Sequence, residues 1–278
     1  MAPDDRPSIE DPIDRLIIQL RAYVASPSRS GRQNPKPAWT SGISVTFDTE
    51  TTTDPSQRLR FGAYQIRDQG SLIARGLFYA DDAPKQDRAD LKAAFRTLRP
   101  TDDGERLELI SRSEFIEHVL FGWGQEVGAL IIGFNLPFDL SRLATSHTYG
   151  KRSMKGGFSF TYADRRQNIR VKHLSQRASF INFAGKGKSD RTPDRGFFVD
   201  VKTLAASLLG QSFSVASLSA LLKTTPKSPL DTYEGRLTPE MVAYCLNDVQ
   251  VTWECFDVLA RRYQALGLSQ TGLNALYS

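Results

Sequence analysis

Histidine, cysteine and methionine are scarce in this 278-residue chain, at three, two and three copies. Cys245 and Cys255 fall in one helical pattern and cannot build a disulfide framework. His118, His147 and His173 have no metal-ligand spacing, which argues against a histidine-based metallohydrolase. No apolar run approaches the roughly 20 residues that a bilayer crossing needs. The opening "MAPDDRPSIEDPIDR" is acidic and lacks the basic flank and apolar stretch of a secretion signal. A glycine-rich phosphate loop is also missing, which weighs against a sugar- or phosphate-metabolising hydrolase. These absences predict an intracellular protein, cytoplasmic or nucleoid-associated.

What is present is ordinary in bulk and uneven in placement. Hydrophobic residues make up 40% and charged residues 24%, as in soluble globular chains. The length allows one large core, or a core with a sizeable insertion. Between His147 and Gly196 stand twelve Lys or Arg against three Asp. That surplus of nine, in a chain of net charge +5, leaves the remainder at about −4. A basic segment on a slightly acidic body suits a polyanionic partner. A solvated loop would give the same count.

The pattern along the chain predicts a mixed α/β sheet with helices packed on it. Residues 8–25 read as an amphipathic helix, with Ile13, Leu16, Ile17, Leu20 and Val24 on one face, followed by a linker. Strand-like runs cover 43–48, 59–66 and 71–79, spaced for antiparallel connections. Helical patterns follow near 88–98 and 113–125. "ALIIGF" (129–134) reads as a strand covered on both faces, and "PFDLSRLA" as a helix with Pro137 in its first turn. The basic segment holds strand-like pieces at 169–174 and 178–183, and reads as an inserted β-hairpin. "GFFVDVKTLAASLLG" is a strand running into a helix that ends at Gly210. A long helix then starts at Thr238 as N-cap, with Pro239 at its first position. The expected organisation is an N-terminal helix and linker over 1–40, a domain over 41–265 with the insertion at 146–196, and a tail over 266–278.

Against this frame, "ISVTFDTETTTD" (43–54) ends a half-buried strand on two acids, Asp48 and Glu50. Chance alone gives about three acid pairs at that spacing in such a composition. In a strand, however, residues i and i+2 share a face. Two carboxylates there repel each other unless a cation sits between them, and no basic residue is near in sequence. A hard divalent ion, Mg²⁺ or Mn²⁺, suits such oxygen ligands. A third acid, Asp139, begins a helix after a buried strand, beside Asn135 and Phe138. A fourth, Asp248, lies one helical turn from Tyr244. Tyr64 and Asp68 have the same spacing, but on a strand they stand roughly 13 Å apart and cannot converge.

Taken in order, "FDTET", "N-x-x-F-D" and "Y-x-x-x-D" resemble the three motifs of the DEDD superfamily of 3′–5′ exonucleases. The tyrosine matches its DEDDy branch, and the forms most resemble the proofreading domain of family B DNA polymerases. The resemblance spans about residues 42–265. It implies a ribonuclease H-like fold, a mixed five-stranded sheet flanked by helices. It implies two divalent metal ions, Mg²⁺ or Mn²⁺, on Asp48, Glu50, Asp139 and Asp248. Asp48 would bridge, Glu50 and Asp248 would serve the nucleophile-side ion, and Asp139 the other. Tyr244 would orient the attacking water. Asn135 and Phe138 would grip the terminal nucleotide, and Thr51 would touch its ribose. Arg165, Arg166, Arg170 and Lys172, interleaved with Phe158, Phe160, Tyr162, Phe180 and Phe183, would meet nucleic acid, single-stranded DNA first and RNA second. Alternatively, those aromatics form the insertion's own core.

Polymerase motifs "D-x-x-S-L-Y-P-S" and "Y-x-D-T-D" do not occur here. The competing expectations are a proofreading-type domain of a larger replication or mobile-element protein, with a polymerase or other replication protein as partner, and a non-catalytic nucleic-acid-binding module.

Overall fold

The computed structural model describes residues 16–19, 39–100, 104–151, 154–164, 166–175, 178–184, 196–230 and 235–267. Most of the helix expected over 8–25, the tail from 268 onward and Arg165 lie outside these residues.

The strand-like runs at the start of the domain form β1 (Ile43–Thr51), β2 (Leu59–Asp68) and β3 (Ser71–Tyr79), an antiparallel meander. Helix α1 (Lys85–Phe95) then crosses over to β4 (Arg106–Ser111), which pairs parallel to β3. Helix α2 opens with one α-turn, Arg112–Glu114, capped reciprocally by Ser111 and Glu114, and continues in a wider coil over Phe115–Glu126. Strand β5 (Leu130–Gly133), helix α3 (Leu136–Leu143), strand β10 (Phe197–Asp200) and helices α4 (Val201–Leu209), α5 (Val215–Leu222) and α6 (Pro239–Gln264) complete the main body.

The main sheet has six strands in the order β10-β5-β1-β2-β3-β4. Strands β10, β5 and β1 run parallel, so their carboxyl ends emerge along one edge. This corrects the expectation of five strands. The sixth is β4, "RLELIS", a six-residue edge strand too short for its alternation to stand out.

Alternation decides what covers each face. Val45, Phe47, Tyr64, Ile66 and Phe78 pack under α2, where the Phe115 ring stacks on Phe78 at 4.1 Å and sits 5.4 Å from Phe47. Losing the Phe115 ring would cost about 3–5 kcal/mol by the cavity it leaves. On the opposite face, Phe61, Ala63 and Leu77 meet α1 and the first half of α6, while Leu130, Ile132 and Val199 meet α4, α5 and its second half. Helix α6, at 26 residues about 39 Å long, therefore spans both clusters. Gly62 is needed where β1 and β2 pair: a Cβ there would lie 2.2 Å from the Phe78 ring and 2.5 Å from the Asp48 carbonyl.

The insertion is more than a hairpin. Strands β6 (Ser146–Tyr149), β7 (Phe158–Thr161), β8 (Ile169–Ser175) and β9 (Ala178–Phe183) make a four-stranded antiparallel sheet. Phe160, Ile169, Val171, Ile181 and Phe183 point inward and join the α2 core. The added strands β6 and β7 are four residues each, and Ser, Thr and Gly around them masked the pattern.

Residues 16–19 are not helical. Leu16 and Ile18 pack toward α4–α6 while Ile17 is exposed, an alternation of two, and Gln19 N–H donates to the Leu208 carbonyl at 2.7 Å. Tertiary pairing has overridden the helical periodicity there. No helix among the described residues is long and apolar enough to cross a membrane.

Candidate functional site

The carboxyl end of β1 is where the acids gather. Asp48 pairs with Ala63 and Glu50 with Phe61, and those partners face α6, so both carboxylates face α6 as well. Thr49 between them turns to the other face, where its hydroxyl donates to Asp139 Oδ1 at 2.6 Å. Asp139 is thus brought in by α3 from one side and Asp248 by α6 from the other, both buried. Tyr244, one turn before Asp248, donates its hydroxyl to that carboxylate. The oxygen ligands of Asp48 and Glu50 and the Cys245 sulfur lie within 4.8 Å of one another. Asp139 and Asp248 flank this set, and Asp48 is the shared neighbour: its charge acts on Glu50 and Asp139, and Asp248 acts on it.

The electrostatics are those of a site short of positive charge. Burial, then the Asp248 charge, pushes Asp48 up to about 7, although both Asp48 and Glu50 keep an opening to solvent. Burial, then Asp48 and Asp248, pushes Glu50 up to about 8. Burial raises Asp139 well above the usual carboxylate range, with Asp48 adding to it. Asp248 is also raised by burial, against the opposing hydrogen bond from Lys227. Asp139 Oδ2 and Asp248 Oδ1 are buried without a hydrogen-bond partner. Orphaned buried carboxylate oxygens cost energy unless a cation completes them. The carboxylates of Asp48, Glu50, Asp139 and Asp248 are the oxygen donors that could hold a hard divalent ion, with the Cys245 sulfur beside the first two.

Among the described residues, Lys227 and, more weakly, Arg60 set positive charge against these acids. Lys227, in the loop before α6, donates from Nζ to Asp248 Oδ2 at 2.7 Å and sits 4.7 Å from the Tyr244 ring centre. The sequence reading missed it, since one lysine in "TTPKSPL" carries no periodic or spacing signal. The acids therefore do have a basic partner, 21 residues from Asp248 and brought in by the fold. Thr49 was missed as well, though its place between the two acids was a usable hint.

The remaining expected residues divide by position. Asn135 adopts a left-handed conformation (φ 71°) just before α3, and Phe138 in the first turn is half-buried under the Arg142 guanidinium, 5.0 Å away. Thr51 ends β1 at a bulge. All three border the acids through their own elements. On the insertion, Arg170 and Lys172 alternate along β8 and share a face with Phe180, which is 40% exposed and pairs with Lys172. Tyr149 (77% exposed) and Phe158 (38%) lie ring to ring at 5.8 Å, and His147 packs on Phe158 at 5.6 Å. Phe160, Tyr162 and Phe183 are core. Arg166 differs from its neighbours on the sheet: it forks onto Glu117, pairs with Glu126 at 2.7 Å and covers the Phe121 ring. Its guanidinium is engaged by two surface carboxylates as well as the ring.

No protein-family model matches the chain, and no curated protein matches it.

Proposed function

We propose that the chain is a 3′–5′ exonuclease of the DEDDy type on a ribonuclease H-like fold, releasing nucleoside monophosphates from single-stranded DNA. The observation that carries this reading is the meeting of four carboxylates from three elements around Asp48, with two buried oxygens left open. Such a cluster opposes folding unless charge chemistry requires it.

Each side chain then has a task. Asp48, Glu50, Asp139 and Asp248 would hold two divalent ions, which when bound would acidify a water and offset charge on the departing 3′ oxygen. Tyr244, hydrogen-bonded to Asp248, would orient the attacking water. Lys227 offsets Asp248 and supplies a positive charge beside the reacting phosphate. Phe138 and Asn135 meet the terminal base and Thr51 the ribose, while Arg170, Lys172 and the exposed aromatics of the insertion carry the upstream strand.

A non-catalytic binding module would need none of these four acids, and their presence beside Tyr244 favours the enzyme. The test is degradation of 5′-labelled single- and double-stranded DNA and RNA with Mg²⁺, Mn²⁺ or EDTA. A ladder shortening from the 3′ end, absent in EDTA, is expected. Intact substrate with both metals would overturn the reading.

A further inference from the structure

A further acid near the site, the buried Asp200, plays no part in the chemistry above. Asp200 closes β10, beside β5, at the same sheet edge as Asp48. It occupies the N-cap position of α4 but makes no side-chain cap to that helix's first amides. Instead Oδ1 accepts the Asn135 N–H at 2.7 Å and the Leu136 N–H at 3.1 Å, and Oδ2 accepts the Thr203 hydroxyl. Both oxygens are thus used by the protein, unlike those of Asp139 and Asp248.

The two amides belong to a turn that needs help. Asn135 is held at φ 71°, ψ 41°, a conformation that costs a non-glycine residue about 1 kcal/mol or more. Helix α3 has eight residues, too few to persist without tertiary support. Its carboxyl end is pinned in the complementary way: buried Arg112 donates to the Leu143 carbonyl at 2.7 Å, and Tyr162 donates to the Leu140 carbonyl at 3.0 Å. An anion at the amino end and a cation at the carboxyl end both match the helix dipole.

We propose that Asp200 is a positioning residue: by holding the Asn135–Leu136 turn it sets the first turn of α3, and so aims Asp139 and presents Asn135 and Phe138. This rests on the exonuclease reading for its consequence, and on hydrogen bonding for its cause. Substituting Asp200→Asn keeps a carbonyl oxygen for both amides and a group for Thr203, so the turn should survive. Asp200→Ala leaves two buried N–H groups unpaired.

Two measurements test it. Amide hydrogen exchange at Asn135 and Leu136 should be slow in the wild type and in Asp200→Asn, and fast in Asp200→Ala. Exonuclease kcat/KM should stay within a few-fold in Asp200→Asn and fall about 10- to 100-fold in Asp200→Ala, the scale of a displaced catalytic group. In an Asn135→Gly background, where the left-handed turn is free of strain, Asp200→Ala should cost clearly less than in the wild type. Fast exchange at both amides in the wild type, full additivity of the two substitutions, or loss of hydrolysis in Asp200→Asn to the level of Asp48→Asn would each overturn the proposal. Should Asp200→Ala not fold, Asp200→Asn and the exchange data decide. If the wild type does not hydrolyse nucleic acid, the exonuclease reading falls while exchange still decides whether Asp200 holds the turn.

Discussion

The two sheets of this protein treat polar and apolar groups in opposite ways. The six-stranded sheet buries charge: Asp139, Asp200 and Asp248 are nearly inaccessible, and Asp48 and Glu50 stand among them. The four-stranded sheet exposes rings: Tyr149, Phe158 and Phe180 stand in solvent with Arg170 and Lys172 alongside. Each arrangement is unfavourable in a protein that only has to fold, since buried carboxylates lose hydration and exposed rings order water. Under the proposed function the contrast separates two jobs. Fixed buried charge suits a reaction centre that must not rearrange, whereas accessible rings and cations suit a strand whose sequence varies.

The largest effect should come from removing charge from the first sheet. Asp48→Ala or Asp248→Ala should reduce hydrolysis to the level seen in EDTA. The melting temperature without metal should hold or rise in Asp48→Ala, where a poorly compensated acid is deleted, and fall in Asp248→Ala, which leaves Lys227 without its carboxylate. Tyr244→Phe should be milder, about 10- to 100-fold, as fits loss of one orienting hydrogen bond. Retained wild-type turnover in either aspartate variant would break the contrast, since the burial of charge would then serve no reaction.

Protons should sharpen it next. Asp48 and Glu50 are pushed up to about 7 and about 8, whereas the unfolded chain releases those protons near pH 4. Between these limits the folded chain binds more protons than the unfolded one, so stability falls as pH rises through that window. In EDTA the melting temperature should therefore drop from pH 5 to pH 8.5. At pH 8.5, Mn²⁺ at about 100 times its Kd should restore about 2.7 kcal/mol, or about 5 °C or more at this size. A pH-independent melting temperature in EDTA would show that the acids are not confined as described.

The elements carrying Asp48, Glu50, Tyr244 and Asp248 were legible because β1 and α6 are long and strongly periodic. β1 carries an alternating run, and α6 begins with Thr238, whose hydroxyl accepts the Met241 N–H at 3.3 Å. The pairing of Tyr244 with Asp248 follows from helical spacing alone. What stayed hidden depends on contacts between distant residues. Lys227 reaches Asp248 from a loop, Asp200 reaches Asn135 across 65 positions, and Thr49 meets Asp139 across 90. Nothing local marks such partners. Short strands such as β4, β6 and β7 were hidden for the related reason that their stability comes from neighbours rather than from propensity.

The smallest effect separates basic residues within the second sheet. Arg170 and Lys172 share an outward face with Phe180, whereas Arg166 is held by Glu117 and Glu126. Phosphate contacts release counterions, about 0.7 per single-strand contact, and this sets the slope of log K against log salt. Replacing Arg170 and Lys172 by Ala should flatten that slope by about 1.4 for a single-stranded oligonucleotide. Replacing Arg166 by Ala should leave the slope as it is and lower stability by about 1 kcal/mol, through loss of its two ion pairs and its cover over Phe121. Fluorescence anisotropy at several salt concentrations, paired with thermal melts, reads both quantities on the same samples. A slope that moves with Arg166 and not with Arg170 and Lys172 would put the strand on the opposite side of the insertion, against α2, and the exposed rings would then need a different partner.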